Sequence, residues 1–204
     1  MAKQNQAQLA YEKIREKLIS RTLEPGKRLI ERVWAENLNV NRADVRQAFS
    51  RLLGEGLLVA GEKGGFFVKE FTLVEMKDLN EIRLVLEQAA AKFAIERATK
   101  NDIAELEKIC EHLRIMSENG YLMGIGEADL KFHERLIKAA HNNKLEFIYK
   151  AANLPLSKNI TSDVNRDKLI SDVKDHIVIV DALKSKNLPK MLKLLSSGLD
   201  LMEK

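Results

Sequence analysis

The sequence has little of what stabilises small secreted proteins or anchors proteins in membranes. Its 204 residues include one cysteine, Cys110, so no disulfide can form within the chain. No apolar run approaches the roughly 20 residues that span a bilayer, and no secretory leader opens the chain, so we expect a cytoplasmic protein without membrane contact. Only 3 prolines and 10 glycines interrupt it, and aromatic residues make up 5%. Long stretches rich in leucine, alanine, lysine and glutamate therefore indicate a mainly α protein.

Positive charge is concentrated in the first third of the chain. The net charge is +4, from 34 basic and 30 acidic residues. Residues 1–71 hold 13 Lys and Arg against 9 Asp and Glu, whereas residues 72–204 hold 21 of each. The N-terminal third alone therefore has the charge expected of a segment that binds a polyanion.

The pattern of residues 1–71 predicts three helices followed by a hairpin. Apolar spacing favours a first helix through QLAYEKIREKLIS, a second of about three turns from Leu29 to Asn39, and a third that Asn41 caps. Two short strands, LLVA and GFFVK, flank a Gly-Glu-Lys-Gly turn. This order describes a winged helix-turn-helix, whose recognition helix enters the major groove of DNA.

Beyond residue 72 the periodicity is helical to the end. Thr72 and Glu75 have capping-box spacing, and Asn101 is the expected cap of the next helix. About six helices follow one another without a repeat of fixed period, which predicts an all-helical bundle. We therefore expect a mainly α protein with a winged helix-turn-helix domain in residues 1–71 and a helical effector-binding and dimerisation domain in residues 72–204.

Exposed residues at the start of the third helix and at the hairpin tip are the candidates for DNA contact. Arg42 and Arg46 lie four residues apart on one helical face, where they can reach a guanine edge or two phosphates. Lys63 adds a positive charge beside glycines that let the backbone approach the sugar-phosphate chain closely. The full candidate set is Arg32, Asn41, Arg42, Ala43, Asp44, Arg46, Lys63, Gly64 and Gly65. The alternative is that these are solvated surface groups, as most exposed arginines and lysines are.

A carboxylate and two imidazoles in the second domain have the spacing of metal ligands. Asp129 and His133 are four residues apart, so they share one helical face. His176 lies on a later helix and could complete the set from across the bundle. The alternative is that these are structural side chains, because Asp-x-x-x-His is common by chance.

The N-terminal motifs resemble those of the GntR superfamily. The resemblance rests on Pro25-Gly26, Glu31-Arg32, Asn41-Arg42, Val45-Arg46, Ala48-Phe49 and Gly56-Leu57. It implies DNA contacts by Arg32, Arg42, Arg46 and the wing glycine Gly65. The sequence departs from the family pattern at Asn41, which replaces a Ser or Thr, and at Asp44, which replaces a Pro or Thr. An acid at this position repels phosphate and can accept only from a cytosine amine, so base preference there is open.

The rest of the chain is similar to the ligand-sensing domain of the FadR subfamily. The matching segments are NEIRLVLE, ADLKFHERL and DHIVIVDAL. The resemblance implies that Asp129, His133 and His176 bind a divalent metal ion, Zn, Ni or Mn. The fourth ligand of the family would fall near Gly198, where this sequence has no histidine.

The same resemblance suggests how an effector would bind. Arg83 matches a pocket arginine and is expected to pair with an organic acid, while Asn143 and His141 are candidates to supplement the site. His112 is expected to face solvent. Three protein ligands leave metal positions open for an effector carboxylate.

These features predict a transcriptional repressor rather than an enzyme. It is expected to bind a palindromic DNA operator as a homodimer and to change its DNA affinity when a small carboxylate binds. One alternative is a metal-independent regulator that senses an acyl or other apolar ligand, which the missing fourth ligand supports. Another is a metal-dependent hydrolase, but no general base sits beside the three ligands and no nucleophile motif or phosphate loop occurs.

Overall fold

The structure is a computed structural model that describes residues 6–154 and 166–197. The N-terminal elements are α1 (Gln6–Ile19), β1 (Arg28–Leu29), α2 (Glu31–Leu38), α3 (Arg42–Gly54), β2 (Leu58–Ala60) and β3 (Phe66–Val68). The C-terminal elements are α4 (Leu73–Arg97), α5 (Lys100–Glu118), α6 (Leu122–Ala139), α7 (Asn143–Ala151), α8 (Arg166–Lys184) and α9 (Leu188–Ser197). A winged helix-turn-helix followed by a helical bundle is the fold class expected from the sequence, which is confirmed.

The wing is a three-stranded antiparallel sheet in the order β1-β3-β2. The expected hairpin between β2 and β3 is present, with Val59 opposite Phe67. The first strand, β1, is not evident from the sequence. It contains Leu29, which is buried and lies opposite Phe66. The expectation of a three-turn helix from Leu29 is therefore wrong, because α2 begins at Glu31 and has 8 residues.

Helix α3 is fixed by packing against α1. Its buried side chains are Val45, Ala48, Phe49 and Leu52, and those of α1 include Ala10, Ile14 and Leu18. These residues belong to one hydrophobic cluster. Because the apolar face of α3 is buried there, its opposite face points away from the domain.

The helix starts follow capping rules, though not always at the expected residue. Thr72 and Glu75 form the predicted capping box of α4. The predicted cap at Asn101 is wrong, because Thr99 occupies the N-cap of α5 and forms a capping box with Asp102. Asn41 does occupy the N-cap of α3, but its amide donates to Gln6 at 3.0 Å and makes no capping bond.

The bundle packs around α6, which contacts both α4 and α5, while α8 contacts α5 and α9. Its largest buried side chains include Phe132 and Leu136 of α6 and Leu106 and Leu113 of α5. The sequence also predicts an interruption of the helical pattern at Pro155, which lies outside the described residues. Among the helices of the described ranges, none is both long and apolar enough to cross a bilayer.

Candidate nucleic-acid interface and metal centre

The exposed face of α3 carries most of the predicted DNA contacts. Arg42, Ala43 and Arg46 are exposed, and Asp44 is partly buried. Gln47 is also exposed, one residue after Arg46. Sequence reasoning missed this amide, although glutamine on a recognition helix can read adenine. The face thus presents two guanidinium groups and an amide together.

The guanidinium of Arg46 is held in place by the preceding helix. Its Nε and Nη2 donate to the two carboxylate oxygens of Glu31, each at 2.8 Å. The bond from Arg46 keeps the pKa of the Glu31 carboxyl below its ordinary value, so the pair stays ionised. Arg32 pairs with Glu36 at 3.2 Å on the surface of the same helix. A bidentate pair fixes the direction of an arginine more firmly than a single contact does.

The tip of the wing is a tight turn built on glycines. Gly64 and Gly65 have φ of 81° and 96°, values that side chains rarely adopt. Lys63 is exposed beside them. A Cβ added at Gly65 would lie 3.3 Å from the Nε of Arg28, which places that arginine at the wing. Arg28 is a basic residue that the sequence did not single out, because its strand was not predicted.

Asp129, His133 and His176 are brought together, as their spacing suggested. One ligand atom from each residue lies within 4.8 Å of the others. Nε2 of His176 is 3.0 Å from Oδ1 of Asp129, and Nε2 of His133 is 3.9 Å from Oδ2. Two imidazoles and a carboxylate that converge in this way suit a divalent ion of the Zn, Ni or Mn class.

The surroundings of this cluster keep its carboxylate ionised. Burial acts to raise the pKa of Asp129, but the hydrogen bond and charge of His176, with the charge of His133, outweigh it and lower the pKa. Phe132 packs edge-on against both imidazole rings, with its centroid 5.7 Å from that of His133 and 4.4 Å from that of His176. The carboxylate of Asp129 is therefore ionised at neutral pH, as a carboxylate ligand of a metal ion must be.

A buried carboxylate lies behind His133. Oε1 of Glu87 is 2.9 Å from Nδ1 of His133 and accepts a hydrogen bond from the Tyr149 hydroxyl at 3.0 Å. Glu87 is 1% exposed and Tyr149 is 5% exposed. Sequence reasoning missed both residues. The signal was available for Glu87, since it follows Arg83 by one helical turn and so shares a helical face with it.

Arg83, the predicted effector ligand, is 2% exposed rather than solvated. Its Nη2 donates to the carbonyl oxygen of Leu154 at 2.5 Å, and its charge lowers the pKa values of Glu87 and Asp129. It therefore lies in the same electrostatic environment as the candidate ligands. Its guanidinium is a buried cation close to the place where an anion would bind.

The other residues proposed for this site lie elsewhere. Asn143 is exposed at the first position of α7, and the described contacts do not bring it to the three ligands. His141 lies 2.8 Å from the carboxylate of Asp102 instead. His112 is exposed, as expected. Gly198, where the fourth ligand would fall, lies outside the described residues.

Helix α6 has a second face, which packs against the winged domain. Leu130 belongs to the hydrophobic cluster of that domain. Glu127 pairs with Lys17 at 2.7 Å, and Lys131 pairs with Glu16 at 3.1 Å. The helix that carries two candidate metal ligands thus also contacts α1.

Two protein families match the chain, and together they cover most of it. The family described as "Bacterial regulatory proteins, gntR family" matches residues 6–68, and the FCD domain matches residues 78–197. The chain is 29% identical to the uncharacterized HTH-type transcriptional regulator YdhC of Bacillus subtilis, over 87% of this chain and 80% of that protein. It is 35% identical to the Nta operon transcriptional regulator of Aminobacter aminovorans, over 62% of this chain and 60% of that protein.

Solved structures share the fold. The structure of McbR/YncC from E. coli superposes with a TM-score of 0.85 at 24% identity, covering 98% of this chain and 95% of that one. A GntR regulator from Rhodococcus superposes with a TM-score of 0.74 at 24% identity, covering 95% and 93%. The arrangement of winged domain and bundle is therefore shared over at least 93% of each chain compared.

Proposed function

The chain belongs to the gntR family of bacterial regulatory proteins and is a transcriptional regulator with an FCD domain, not an enzyme; from this premise we propose that it is a repressor controlled by an organic acid. Its helical domain binds the acid at a divalent metal ion, and the winged domain binds the operator. The observation that carries the proposal is the double role of α6. Asp129 and His133 are on one of its faces, and Leu130 packs into the winged domain from another.

The three side chains fit a metal ion of the Zn, Ni or Mn class. Asp129 and the two histidines supply one oxygen and two nitrogen donors that already converge. The ion would supply positive charge and open coordination positions for a carboxylate. Arg83 is the residue suited to neutralise the other end of that ligand, because it is a buried cation beside the cluster.

A second connection runs from Arg83 to the winged domain. Arg83 binds the carbonyl oxygen of Leu154, and the preceding residue, Asn153, accepts a hydrogen bond from Arg15 of α1 at 2.7 Å. The Asn153 amide donates to Glu55 at the end of α3, at 3.1 Å. An anion that draws Arg83 away from Leu154 would therefore disturb a segment that holds both α1 and α3.

The contact between the domains is incomplete, which leaves room for movement. A cleft of about 670 Å³ lies between α1 and α3 of the winged domain and α6 and α7 of the bundle. Arg15, Glu134 and Lys150 are among the residues that line it. Polar contacts around an open cleft can exchange partners at lower cost than a packed apolar interface.

A homodimer on a palindromic operator completes the proposal, because one winged helix covers only half of a specific site. The outer face of α4 supports a second copy as the partner, since Val74, Ile82 and Val85 are 70%, 51% and 63% exposed. We expect Val85→Asp to shift the protein towards monomer in sedimentation equilibrium, with Lys108→Asp on the exposed surface of α5 as the control. A variant as dimeric as the wild type would place the interface elsewhere.

A metal-independent regulator that senses an acyl ligand is the second candidate. It is favoured by the absence of a histidine near Gly198. Metal analysis of the purified protein, followed by melting curves with Zn, Ni or Mn and with a panel of organic acids, separates the two candidates. Ligands of the native state raise the melting temperature. Acid-dependent stabilisation that requires metal supports the first candidate, and stabilisation by fatty acyl ligands without metal supports the second.

The arginines of α3 give a direct test of the DNA interface. We expect Arg42→Ala and Arg46→Ala each to weaken binding to an operator selected in vitro by about 5- to 150-fold. Loss confined to the operator indicates that the arginine reads a base, and equal loss on scrambled DNA indicates a phosphate contact. Fluorescence anisotropy at fixed salt measures both.

Arg114→Ala is the matched control. Arg114 is also an exposed helical arginine that pairs with acids, Glu111 and Glu118, but it lies on α5 of the bundle. Its variant should bind DNA like the wild type. If both α3 variants also bind like the wild type, α3 is not the recognition helix.

A further inference from the structure

We infer that Glu87 is a positioning residue of the metal centre, which orients the ring of His133 so that Nε2 is the metal-binding nitrogen. The inference rests on the metal site proposed above. Oε1 of Glu87 lies 2.9 Å from Nδ1 of His133, while Nε2 of the same ring faces Asp129 at 3.9 Å. The two ring nitrogens therefore point at different partners, a carboxylate behind and the candidate ligand set in front.

This arrangement selects one tautomer. An ionised carboxylate only accepts hydrogen bonds, so it favours the neutral ring that carries its proton on Nδ1 and leaves the Nε2 lone pair free. Metal-binding histidines are commonly held by such a carboxylate, which also makes the ring a better ligand.

Tyr149 and Arg83 hold Glu87 in this role. The Tyr149 hydroxyl donates to the same oxygen, Oε1, at 3.0 Å, and Arg83 adds a nearby positive charge. Glu87 is fully enclosed, so its carboxylate has few alternative partners. A buried charge is costly unless it is paired. A role in orienting His133 would explain why the charge of Glu87 is present on this buried face.

The test uses the full-length protein and Zn²⁺ alone as the probe. Glu87→Gln keeps the shape of the side chain but removes its charge, and we expect it to bind Zn²⁺ about 10- to 100-fold more weakly in a chelator competition. Long-range ¹H–¹⁵N spectra of the metal-free protein, recorded at a pH high enough to make the imidazole neutral, should show His133 protonated on Nδ1 in the wild type and as a mixture of tautomers in the variant. If Glu87 only stabilised the fold, the tautomer of His133 would be the same in Glu87→Gln as in the wild type.

Asp102→Asn is the matched control, because Asp102 is also a buried carboxylate beside a histidine, His141, and its ion-pair partners, His141 and Arg135, are not candidate ligands. It should lower the melting temperature and leave Zn²⁺ affinity unchanged. If Glu87→Gln does not fold, Tyr149→Phe, which removes one bond to Glu87, should still lower Zn²⁺ affinity several-fold.

The outcomes separate this inference from the proposed function. A wild type that binds none of Zn²⁺, Ni²⁺ and Mn²⁺ overturns the metal site and the role of Glu87 with it. A wild type that binds Zn²⁺, together with Glu87 and Tyr149 variants that bind it equally well, overturns the role of Glu87 alone.

Discussion

His133→Ala is expected to remove metal binding, with a loss of affinity on the order of 100-fold or more. The substitution deletes one of the three converging donors, and changes that affect only the supports of a ligand already cost 10- to 100-fold. Without the His133 ring, Glu87 also loses its partner at Nδ1. Metal-dependent binding of the organic acid should be lost together with the metal.

The prediction can be expressed as a metal-dependent rise in the melting temperature, Tm. A free metal concentration about 1,000-fold above Kd stabilises the native state by about 4 kcal/mol. For a chain of this length that shift raises Tm by roughly 8 to 16 °C, since each kcal/mol shifts Tm by about 2–4 °C. The wild type should show this rise with its preferred metal, and His133→Ala should not.

His112→Ala is the control, because His112 is an exposed histidine on α5. It should keep the full metal-dependent rise in Tm. The metal assignment fails if His133→Ala retains the rise, or if the wild type shows none and still responds to its effector.

The sequence predicted the features that depend on neighbours along the chain. The spacing of Val45, Ala48, Phe49 and Leu52 was enough to locate α3 and its buried face. The four-residue separation of Asp129 and His133 was enough to put both on one side of α6, because helical geometry requires it.

The features that were missed depend on contacts between distant segments. Strand β1 has two residues and exists through its pairing with β3, so no local periodicity could reveal it. Asn41 has the local preferences of a cap, but its side chain bonds to Gln6, 35 positions earlier. Such pairings depend on how the domain closes, which propensity does not encode.

The candidate site was predicted only in part, for the same reason. The three ligands carry a motif, whereas the roles of Glu87 and Tyr149 appear only when α4, α6 and α7 are packed together. The charge of Glu87 on a buried helix face was a usable signal, since an ionised group there needs a partner. The identity of that partner could come only from the structure.

Residues 1–71 alone are expected to bind the operator about 100- to 10,000-fold more weakly than the full chain. Dimerisation through the helical domain would hold a second winged domain next to its half-site, so the second contact becomes intramolecular. The segment ends where Thr72 caps α4, so the cut leaves every element of the winged domain intact. Anisotropy titrations with the same operator measure the difference.

Removal of the bundle also removes Leu130 from the core of the winged domain and breaks the ion pair of Lys17 with Glu127. A weak fragment could therefore reflect lost folding rather than lost dimerisation. Circular dichroism of the fragment, and a fusion of it to an unrelated leucine zipper, separate these causes. The fusion should recover most of the affinity if dimerisation is the cause, because the zipper supplies the second half-site contact without any FCD residue. Equal affinity of the free fragment and the full chain for the operator would contradict the dimeric mechanism. A zipper fusion that folds but still binds the operator weakly would show that the contacts of α6 with the winged domain are needed for DNA binding itself.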